Sequence, residues 1–303
     1  MVRKQGIMSQ PEVPFPQSPV VPNMVGADHV IQFSCRPGIA CWNACCANID
    51  ISLTPYDLLR LKKRLGLASD EFLVKYTVPY EFDKDDIAGV KLRPVADGTA
   101  CQFMTPEGCS VYEDRPTACR YYPVALVSMR KEDEYVDRDA YALVKENHCQ
   151  GHAEPRTLTI AEYRREQGVE RYDEIARGWR QLILKKKSSG PSIGKPSLRS
   201  RQLFFMACYD SDQFRAFIAS EAFSRLFALP EAEYALILDD DEARLLFGFR
   251  FLRQVLFGEN SIPLHEPVAV ERQAQLREKR LKEEREAAER LARAEDGEYP
   301  LQD

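Results

Sequence analysis

"CRPGIACWNACC", residues 35–46, places four cysteines within twelve residues, and two of the four are adjacent. Four more thiols follow at Cys101, Cys109, Cys119 and Cys149. So many thiols have four ordinary uses: disulfide bonds, a redox pair, a catalytic nucleophile or the ligation of a metal. The choice among these uses decides how the rest of the chain is interpreted.

Three of the four uses fit this pattern poorly. A catalytic nucleophile needs one thiolate and a base rather than eight thiols. A thioredoxin-like pair would show C-x-x-C on a βαβ unit, and a disulfide between adjacent Cys45 and Cys46 would close a strained ring. Metal ligation remains, and thiolate is a soft ligand that suits zinc, copper(I) and iron–sulfur clusters.

The candidate metal ligands are the eight clustered cysteines: Cys35, Cys41, Cys45, Cys46, Cys101, Cys109, Cys119 and Cys149. Eight thiols make two four-ligand sites arithmetically, but the sequence assigns no cysteine to either site. An extended backbone at Cys45 and Cys46 would point the two side chains to opposite faces. The pair would then feed two sites, or one multinuclear cluster, rather than a single ion.

Three arginines are candidates for balancing the charge of such a centre. A metal with four thiolates is anionic, and burying that charge is costly unless cations or amide donors face it. Arg36, Arg115 and Arg120 lie close to Cys35 or Cys119 in the sequence. Each of them is equally well explained as an ordinary surface arginine, so both roles stay open.

The histidines and the ninth cysteine are weaker candidates. "HCQGH" contains His148 and His152, which are imidazole ligands or, more simply given the supply of thiols, loop histidines. His29 and His265 lie far from the other candidates in the sequence. Cys208, in "FFMACYD", lies on an apolar helical face and is expected to be a small buried hydrophobe.

The bulk composition is that of a globular protein. The chain has 303 residues, of which 44% are apolar and 29% charged, and its net charge of −5 gives no electrostatic reason to expect nucleic acid. The N-terminus lacks the apolar segment of an export signal, and no stretch approaches the length of a membrane-spanning helix. We therefore expect a cytoplasmic protein with reduced thiols and no membrane partner.

The fold class expected from these patterns is α+β and helix-rich. A small irregular cysteine-cluster metal domain with short strands precedes a helical C-terminal domain. The expected divisions are a flexible N-terminal segment at 1–29, the metal domain with flanking helices at 30–187, a linker at 188–198, a helical domain at 199–262 and a charged tail at 263–303.

Helix signals are clear at several points. Thr54, Pro55 and Asp57 suit a capped helix start, Gly66 suits its end, and a second helix begins at Ser69. Two later stretches carry amphipathic stripes: Tyr172, Ile175, Ala176, Trp179, Leu182 and Ile183 in the first, and Leu245, Phe249, Leu252 and Leu256 in the second. The tail from Glu271 to Asp296 is highly charged and is expected to be a solvated helix or disordered.

Strand signals lie between the cysteines. "VKLRPVADGTACQF" predicts two short strands around a turn at Asp97 and Gly98. "YPVALVSMR" and "YVDRDAYALV" are expected to pair with each other across a charged turn. The cysteine region is therefore expected to be small, irregular and partly stranded.

Three segments in this order resemble the CxxCxxCC cysteine-cluster family, the YkgJ type: "FSCRPGIACWNACC", "ISLTPYDLLRLKKRLGL" and "CQFMTPEGCSVYEDRPTACRYYP". The resemblance covers about residues 30–152, and it implies a domain that chelates zinc or iron. The first cluster departs from the short form, because the gaps between its first three cysteines are five and three residues. The cysteine domain of flagellin lysine-N-methylases is also similar, which implies a possible link to methyl transfer.

The function expected from these observations is metal binding through cysteine thiolates. We expect an iron–sulfur cluster with a redox or enzyme-supporting role and a protein partner, since the thiols are many and C-x-x-C zinc knuckles are lacking. One alternative is Zn²⁺ that holds the irregular segment together while the helices bind a partner. Another is a lysine-N-methylase-like enzyme, for which "GFRFLRQVLFG" offers glycines only within a helical apolar stretch.

Overall fold

A computed structural model of the chain describes residues 20–82, 87–129, 138–188 and 196–295. The fold is α+β and helix-rich, as expected, with short antiparallel sheets in the N-terminal part and helices in the C-terminal part. By its internal contacts the chain forms two compact units, Met1–Gln181 and Leu182–Asp303. None of the helices in the described ranges is long and apolar enough to cross a membrane.

The strands belong to the first unit. They are β1 Val20–Val25, β2 Val30–Gln32, β3 Ser52–Leu53, β4 Thr77–Phe82, β5 Ile87–Leu92, β6 Met104–Thr105, β7 Gly108–Cys109, β8 Val124–Met129, β9 Arg138–Val144 and β10 Thr157–Thr159. They pair antiparallel in four small sheets, with strand orders β1-β9-β8, β10-β2, β3-β5-β4 and β6-β7. The expected pairing of β8 with β9 is confirmed, although the connecting residues 130–137 lie outside the described ranges.

The helices run through both units. They are α1 Pro55–Leu65, α2 Ser69–Tyr76, α3 Thr117–Tyr121, α4 Ile160–Gln167, α5 Val169–Ser188, α6 Leu198–Tyr209, α7 Ser211–Ile218, α8 Glu221–Leu226, α9 Glu231–Asp239, α10 Asp241–Phe257 and α11 Glu266–Glu295. Short 3-10 turns lie at Ala44–Cys46, Tyr112–Asp114 and Gly151–Ala153.

Helix α1 begins and ends where its sequence predicts. The Thr54 side chain accepts a hydrogen bond from the Asp57 amide, and the Asp57 side chain accepts one from the Thr54 amide, so a complete capping box forms. Gly66 ends the helix at φ 65°, in the left-handed region that glycine enters without strain. The apolar face, including Leu58 and Leu61, is buried.

Strand β1 corrects the expectation of a flexible segment over residues 1–29. Val20–Val25 pairs with β9, with a register shift between Val21 and Val25. The proline-rich composition suggested a segment without structure, but an edge strand tolerates proline, and Pro22 lies at that irregularity. Val25 and Ala27 also pack against the buried core, while residues 1–19 lie outside the described ranges.

The segment "VKLRPVADGTACQF" also differs from its prediction. The turn is present, with Asp97 at φ 57°, but the second arm forms only an isolated bridge between Pro94 and Cys101. The first arm belongs to β5, which pairs on both sides, with β3 and β4. Because β5 already has two partners, the arm after the turn cannot join its ladder.

A core of buried residues supports the first unit: Ile31, Phe33, Tyr121, Val124, Tyr141, Leu158, Ile160, Tyr163 and Val169. Residues from β2, α3, β8, β9, β10 and α4 pack together there. The core therefore fixes the ends of the segments that lead to the cysteines. Cys149 is partly buried against the same core.

The second unit is helical around phenylalanine side chains, and Phe214 lies within about one ring diameter of Phe247 and Phe251 at centroid distances of 6.3 and 5.8 Å. The stripe on α10 is buried as expected at Leu245, Phe249 and Leu252. In the described part of the charged tail, Glu266–Glu295 forms helix α11, and Val270 and Leu281 on it are exposed. Of the expected linker at 188–198, residues 189–195 lie outside the described ranges.

Candidate metal centre

The first cysteine segment is a series of tight turns that begins from the buried Phe33. Each turn is closed by a backbone hydrogen bond between residues three apart: Ile39 to Arg36 at 3.3 Å, Trp42 to Ile39 at 2.9 Å, Ala44 to Cys41 at 3.0 Å and Cys46 to Asn43 at 2.9 Å. Asn43 takes φ 64°, a conformation that asparagine tolerates better than most residues. The chain therefore coils within twelve residues, which keeps its four thiols close together.

Cys45 and Cys46 do not have the extended backbone that would place their side chains on opposite faces. Both residues lie in the 3-10 turn Ala44–Cys46. Their sulfur atoms are 3.9 Å apart and in hydrogen-bond contact. The adjacent pair therefore presents its two thiols side by side.

The loop around Cys149 lies against this first segment because β2 and β10 pair. Strand β2 ends just before Cys35 and β10 begins just after the Cys149 loop, so the pairing of the strands brings the two loops together. Ser34 donates to the carbonyl of Gly151 at 3.1 Å, and the Gln150 amide donates to the Cys41 sulfur at 3.3 Å. A cavity in this region is lined by Phe33, Ser34, Cys35, Cys41, Cys45, Tyr122, His148, Cys149 and Gly151.

A second set of strands carries Cys101 to the other side of the first segment. Strand β3 follows Cys46 and pairs antiparallel with β5, which precedes Cys101. The contact continues beyond the strands, where the Cys101 amide donates to the Cys46 carbonyl at 2.8 Å and the Ile49 amide to the Thr99 carbonyl at 2.9 Å. The pairing therefore ties Cys101 directly to the end of the first cysteine segment.

Cys109 and Cys119 lie on two different elements, the hairpin β6–β7 and helix α3. Cys109 lies on the hairpin β6–β7 opposite Met104, and the Asn43 side chain donates to the Thr105 carbonyl of that hairpin at 3.1 Å. Cys119 lies on α3. The first residue of α3, Thr117, donates its amide and hydroxyl to the buried Asp57 carboxylate, at 2.8 and 2.6 Å.

The thiols influence one another electrostatically. Burial raises the pKa of Cys35 to about 11, with further contributions from the neighbouring Cys45, Cys41 and Cys149 thiolates. Burial also raises the pKa of Cys119, and the thiolates of Cys101 and Cys109 add to the shift.

The pKa values of the adjacent Cys45 and Cys46 shift in opposite directions. The hydrogen bond from Cys46 lowers the pKa of Cys45 to about 7, and the same bond raises the pKa of Cys46. Crowded thiolates repel one another, so a bound cation would stabilise the charged forms that crowding disfavours.

The donor set fits the metals that the sequence suggests. All nine cysteines are free thiols, and the eight clustered ones are half-buried or exposed. Among the described residues, no group of three or more histidine, cysteine, aspartate or glutamate side chains is arranged as a ready-made ion site. The fit therefore rests on donor chemistry, since thiolates match zinc and iron–sulfur clusters rather than magnesium or calcium, and on the convergence of the segments.

The three candidate arginines have different surroundings. The positive charge of Arg115 lowers the pKa of both Cys35 and Cys109 against the larger effect of burial. The Arg115 side chain is itself buried and donates to the Tyr112 carbonyl and to the Gln167 side chain, each at 2.6 Å. Arg120 is buried and is occupied by protein oxygens, including the Gln167 carbonyl at 2.7 Å. Arg36 is exposed and pairs with Glu154 at 3.1 Å.

The four histidines also have different surroundings. His148 lines the cavity with four cysteines and lies 3.5 Å from the Glu146 carboxylate. The ring of His152 contacts the Val144 carbonyl at 3.1 Å and packs on Phe33 at a centroid distance of 5.3 Å, which explains it as a structural loop residue. His29 lies in a loop held by backbone bonds, and His265 contacts the Ser224 carbonyl in the second unit. Cys208 is buried in that unit, 4% exposed, as expected of a core residue.

Tyr122 was not singled out from the sequence as a site residue. Its hydroxyl is buried without a hydrogen bond of normal geometry, and its side chain lines the cavity beside Cys149. Burial raises its pKa, and the Cys149 thiol adds to that shift. Its sequence signal is its place in "CRYYP", at the end of the third segment that resembles the CxxCxxCC family, directly before the proline that follows α3.

The comparisons with known proteins bear on the same region. A family model, CxxCxxCC, described as "Putative zinc- or iron-chelating domain", matches residues 34–150. No curated protein and no solved structure matches the chain. The matched range begins one residue before Cys35 and ends one residue after Cys149, so it contains all eight clustered cysteines. Residues 34–150 of this chain therefore match the CxxCxxCC model, whose printed description is "Putative zinc- or iron-chelating domain".

Proposed function

We propose that this protein binds an iron–sulfur cluster through the thiolates of its clustered cysteines and uses it in electron transfer or in support of an enzymatic reaction. The observation that carries the proposal is the convergence of distant thiols. Cys101 hydrogen-bonds to the Cys46 backbone at 2.8 Å, and the Cys149 loop donates to the Cys41 sulfur at 3.3 Å. When bound, such a cluster supplies one-electron redox chemistry.

Features of the surroundings support a redox role. The Gln150 amide donates to a ligand sulfur, and hydrogen bonds of this kind tune the reduction potential of iron–sulfur centres. Cys35 and Cys45 are exposed, so a partner protein could approach this edge of the cluster. The free state of all nine cysteines supports a reducing compartment, and we place the protein in the cytoplasm.

Structural zinc is the second candidate. The cysteine segments consist of tight turns and strands as short as two residues, and such irregular chain gains most from closed four-sulfur sites that supply folding energy. In that case the helices of the second unit would serve as a binding module for a partner protein.

The methylase-like alternative has less support. Gly248 lies inside helix α10, where an added Cβ would lie 3.1 Å from the Ala207 carbonyl, so close helix packing explains this glycine. Gly258 caps the same helix at φ 68°. Both glycines of "GFRFLRQVLFG" thus have roles in the helix rather than in a cofactor-binding loop.

Anaerobic purification followed by metal and sulfide analysis tests the proposal. We expect a brown protein with broad absorption near roughly 400 nm and with iron and sulfide in matching amounts. A colourless preparation with stoichiometric zinc would exclude the redox function and favour the structural one. A folded preparation without stoichiometric metal would exclude both.

A further inference from the structure

The strand pairings sort the eight thiols into two neighbourhoods. Pairing of β2 with β10 places the Cys149 loop on the Cys35 side of the first segment, where the Gln150 amide reaches the Cys41 sulfur at 3.3 Å. The cavity on this side is lined by four of the thiols: Cys35, Cys41, Cys45 and Cys149.

The other four thiols lie around the second pairing. Strands β3 and β5 deliver Cys101 to the Cys46 backbone, at 2.8 Å between the Cys101 amide and the Cys46 carbonyl. The hairpin that holds Cys109 follows directly, since the Met104 amide donates to the Cys101 carbonyl at 3.1 Å. Helix α3 adds Cys119, anchored through Thr117 on Asp57.

From these pairings we propose that the chain holds two four-sulfur metal sites rather than one. The outer site consists of Cys35, Cys41, Cys45 and Cys149, and the inner site consists of Cys46, Cys101, Cys109 and Cys119. The peptide bond between Cys45 and Cys46 is the boundary between the sites. This assignment rests on the proposed metal-binding function and adds the ligand set of each site.

Cys45 lies at the boundary between the proposed sites, because it adjoins Cys46 in the 3-10 turn. The cavity assigns it to the outer site, since it lines that cavity and Cys46 does not. Their sulfurs are 3.9 Å apart, so the two proposed sites would adjoin at this pair.

Cobalt(II) titration of the metal-free, full-length protein tests the division, because thiolate-bound tetrahedral cobalt(II) has a distinctive visible spectrum. Three double variants each remove two thiols. Cys35→Ser/Cys149→Ser removes two outer ligands, Cys101→Ser/Cys109→Ser removes two inner ligands, and Cys109→Ser/Cys149→Ser removes one from each site.

The wild-type chain is expected to bind two equivalents of cobalt(II) tightly. The double variant of the outer site and the double variant of the inner site should each still bind one equivalent of cobalt(II) tightly through four sulfurs, because the other site is intact. The cross-site pair should keep no tight equivalent, although it has lost the same number of thiols. Tryptophan fluorescence confirms that the first unit of each variant is folded, because both tryptophans lie in that unit. A pair that does not fold is replaced by Cys41→Ser/Cys149→Ser for the outer site, Cys46→Ser/Cys101→Ser for the inner site or Cys41→Ser/Cys101→Ser across the two sites.

Equal cobalt(II) binding by all three folded pairs would overturn the division and indicate one shared multinuclear centre. A tight equivalent retained by the cross-site pair would overturn the assignment of ligands. Either result leaves the iron and sulfide content of the purified protein as a separate test of the proposed function. Conversely, zinc in the purified protein would remove the redox role without affecting the cobalt(II) result.

Discussion

Asp57 connects a helix start to the cysteine cluster. It is fully buried, and its carboxylate accepts hydrogen bonds from the Thr54 amide at 2.8 Å and from Thr117 at the start of α3. Sequence reasoning predicted the first contact from the capping pattern. The second joins residues 60 positions apart, and no local pattern encodes it.

We expect Asp57→Asn to destabilise the first unit by about 1–3 kcal/mol, because the amide nitrogen cannot accept a hydrogen bond as either carboxyl oxygen does. Burial raises the pKa of the Asp57 carboxyl, although the hydrogen bonds from Thr117 and Thr54 oppose the shift. The folded state therefore holds this proton more tightly than the unfolded chain, and the contribution to stability is lost as the pH rises. Urea unfolding should show a larger cost of the substitution near about pH 4 than near about pH 7.

Glu162→Gln is the matched control, since Thr159 and Glu162 form the same capping box on α4 at an exposed position. Hydrogen bonds from Thr159 lower the pKa of Glu162, so its contribution is present at neutral pH and is lost on acidification. The two substitutions should thus show opposite pH trends. The same trend in both would contradict the role given to burial at Asp57.

Cys208 and Cys119 form a second contrast between single residues. Cys208→Ser places a hydroxyl in an apolar core, so we expect a loss of about 1–3 kcal/mol in stability and no change in metal content. Cys119→Ser is expected to lower the metal content. Metal analysis of the purified variants checks both, and metal loss from the Cys208 variant would show that the set of ligands is incomplete.

At the scale of elements, the sequence predicts features that depend on neighbouring residues well and contacts between distant strands poorly. The caps of α1, the stripe on α10 and the β8–β9 hairpin depend on neighbouring residues, so the sequence shows them directly. Strand β1 and the bridge between Pro94 and Cys101 depend on whether a distant strand has a free edge. The 3-10 turn at Cys45 and Cys46 has no signal in the sequence, which left the backbone there open.

The hairpin β6–β7 offers a test of an element that positions a ligand. Gly108 has φ 129°, and an added Cβ would lie 3.1 Å from the Trp42 ring, so Gly108→Ala combines backbone strain with crowding against the first cysteine segment. We expect a loss of about 1–3 kcal/mol in stability and weaker metal binding, measured by competition with a chelator.

Gly258→Ala is the control for that substitution. Gly258 has φ 68° at the end of α10, where nothing lies within 4 Å of an added Cβ. It should cost stability through backbone strain alone and leave metal binding unchanged, because it lies in the second unit. Unchanged metal affinity in Gly108→Ala would show that the hairpin does not position Cys109.

At the scale of the whole molecule, the sequence locates the candidate site but does not group its cysteines. All eight candidate ligands were visible as an excess of thiols in one region, because ligand chemistry is a property of residue types. Their grouping depends on β2 meeting β10 and β3 meeting β5, contacts that span up to about 130 residues in the chain. The sequence therefore predicted which cysteines to test but not which of them act together.

Removal of the metal is expected to destabilise the first unit much more than the second. Both tryptophans of the chain, Trp42 and Trp179, lie in the first unit, so tryptophan fluorescence reports on the unit that contains the cysteines. Far-UV circular dichroism is dominated by helices, and α6 to α11 all lie in the second unit. Metal binding by thiolates contributes directly to folding. A chelator should therefore lower the midpoint of thermal unfolding, followed by tryptophan fluorescence, by roughly 10 °C or more. The main circular dichroism transition should move much less, and equal shifts in both signals would indicate that the units unfold together rather than that the metal supports the first.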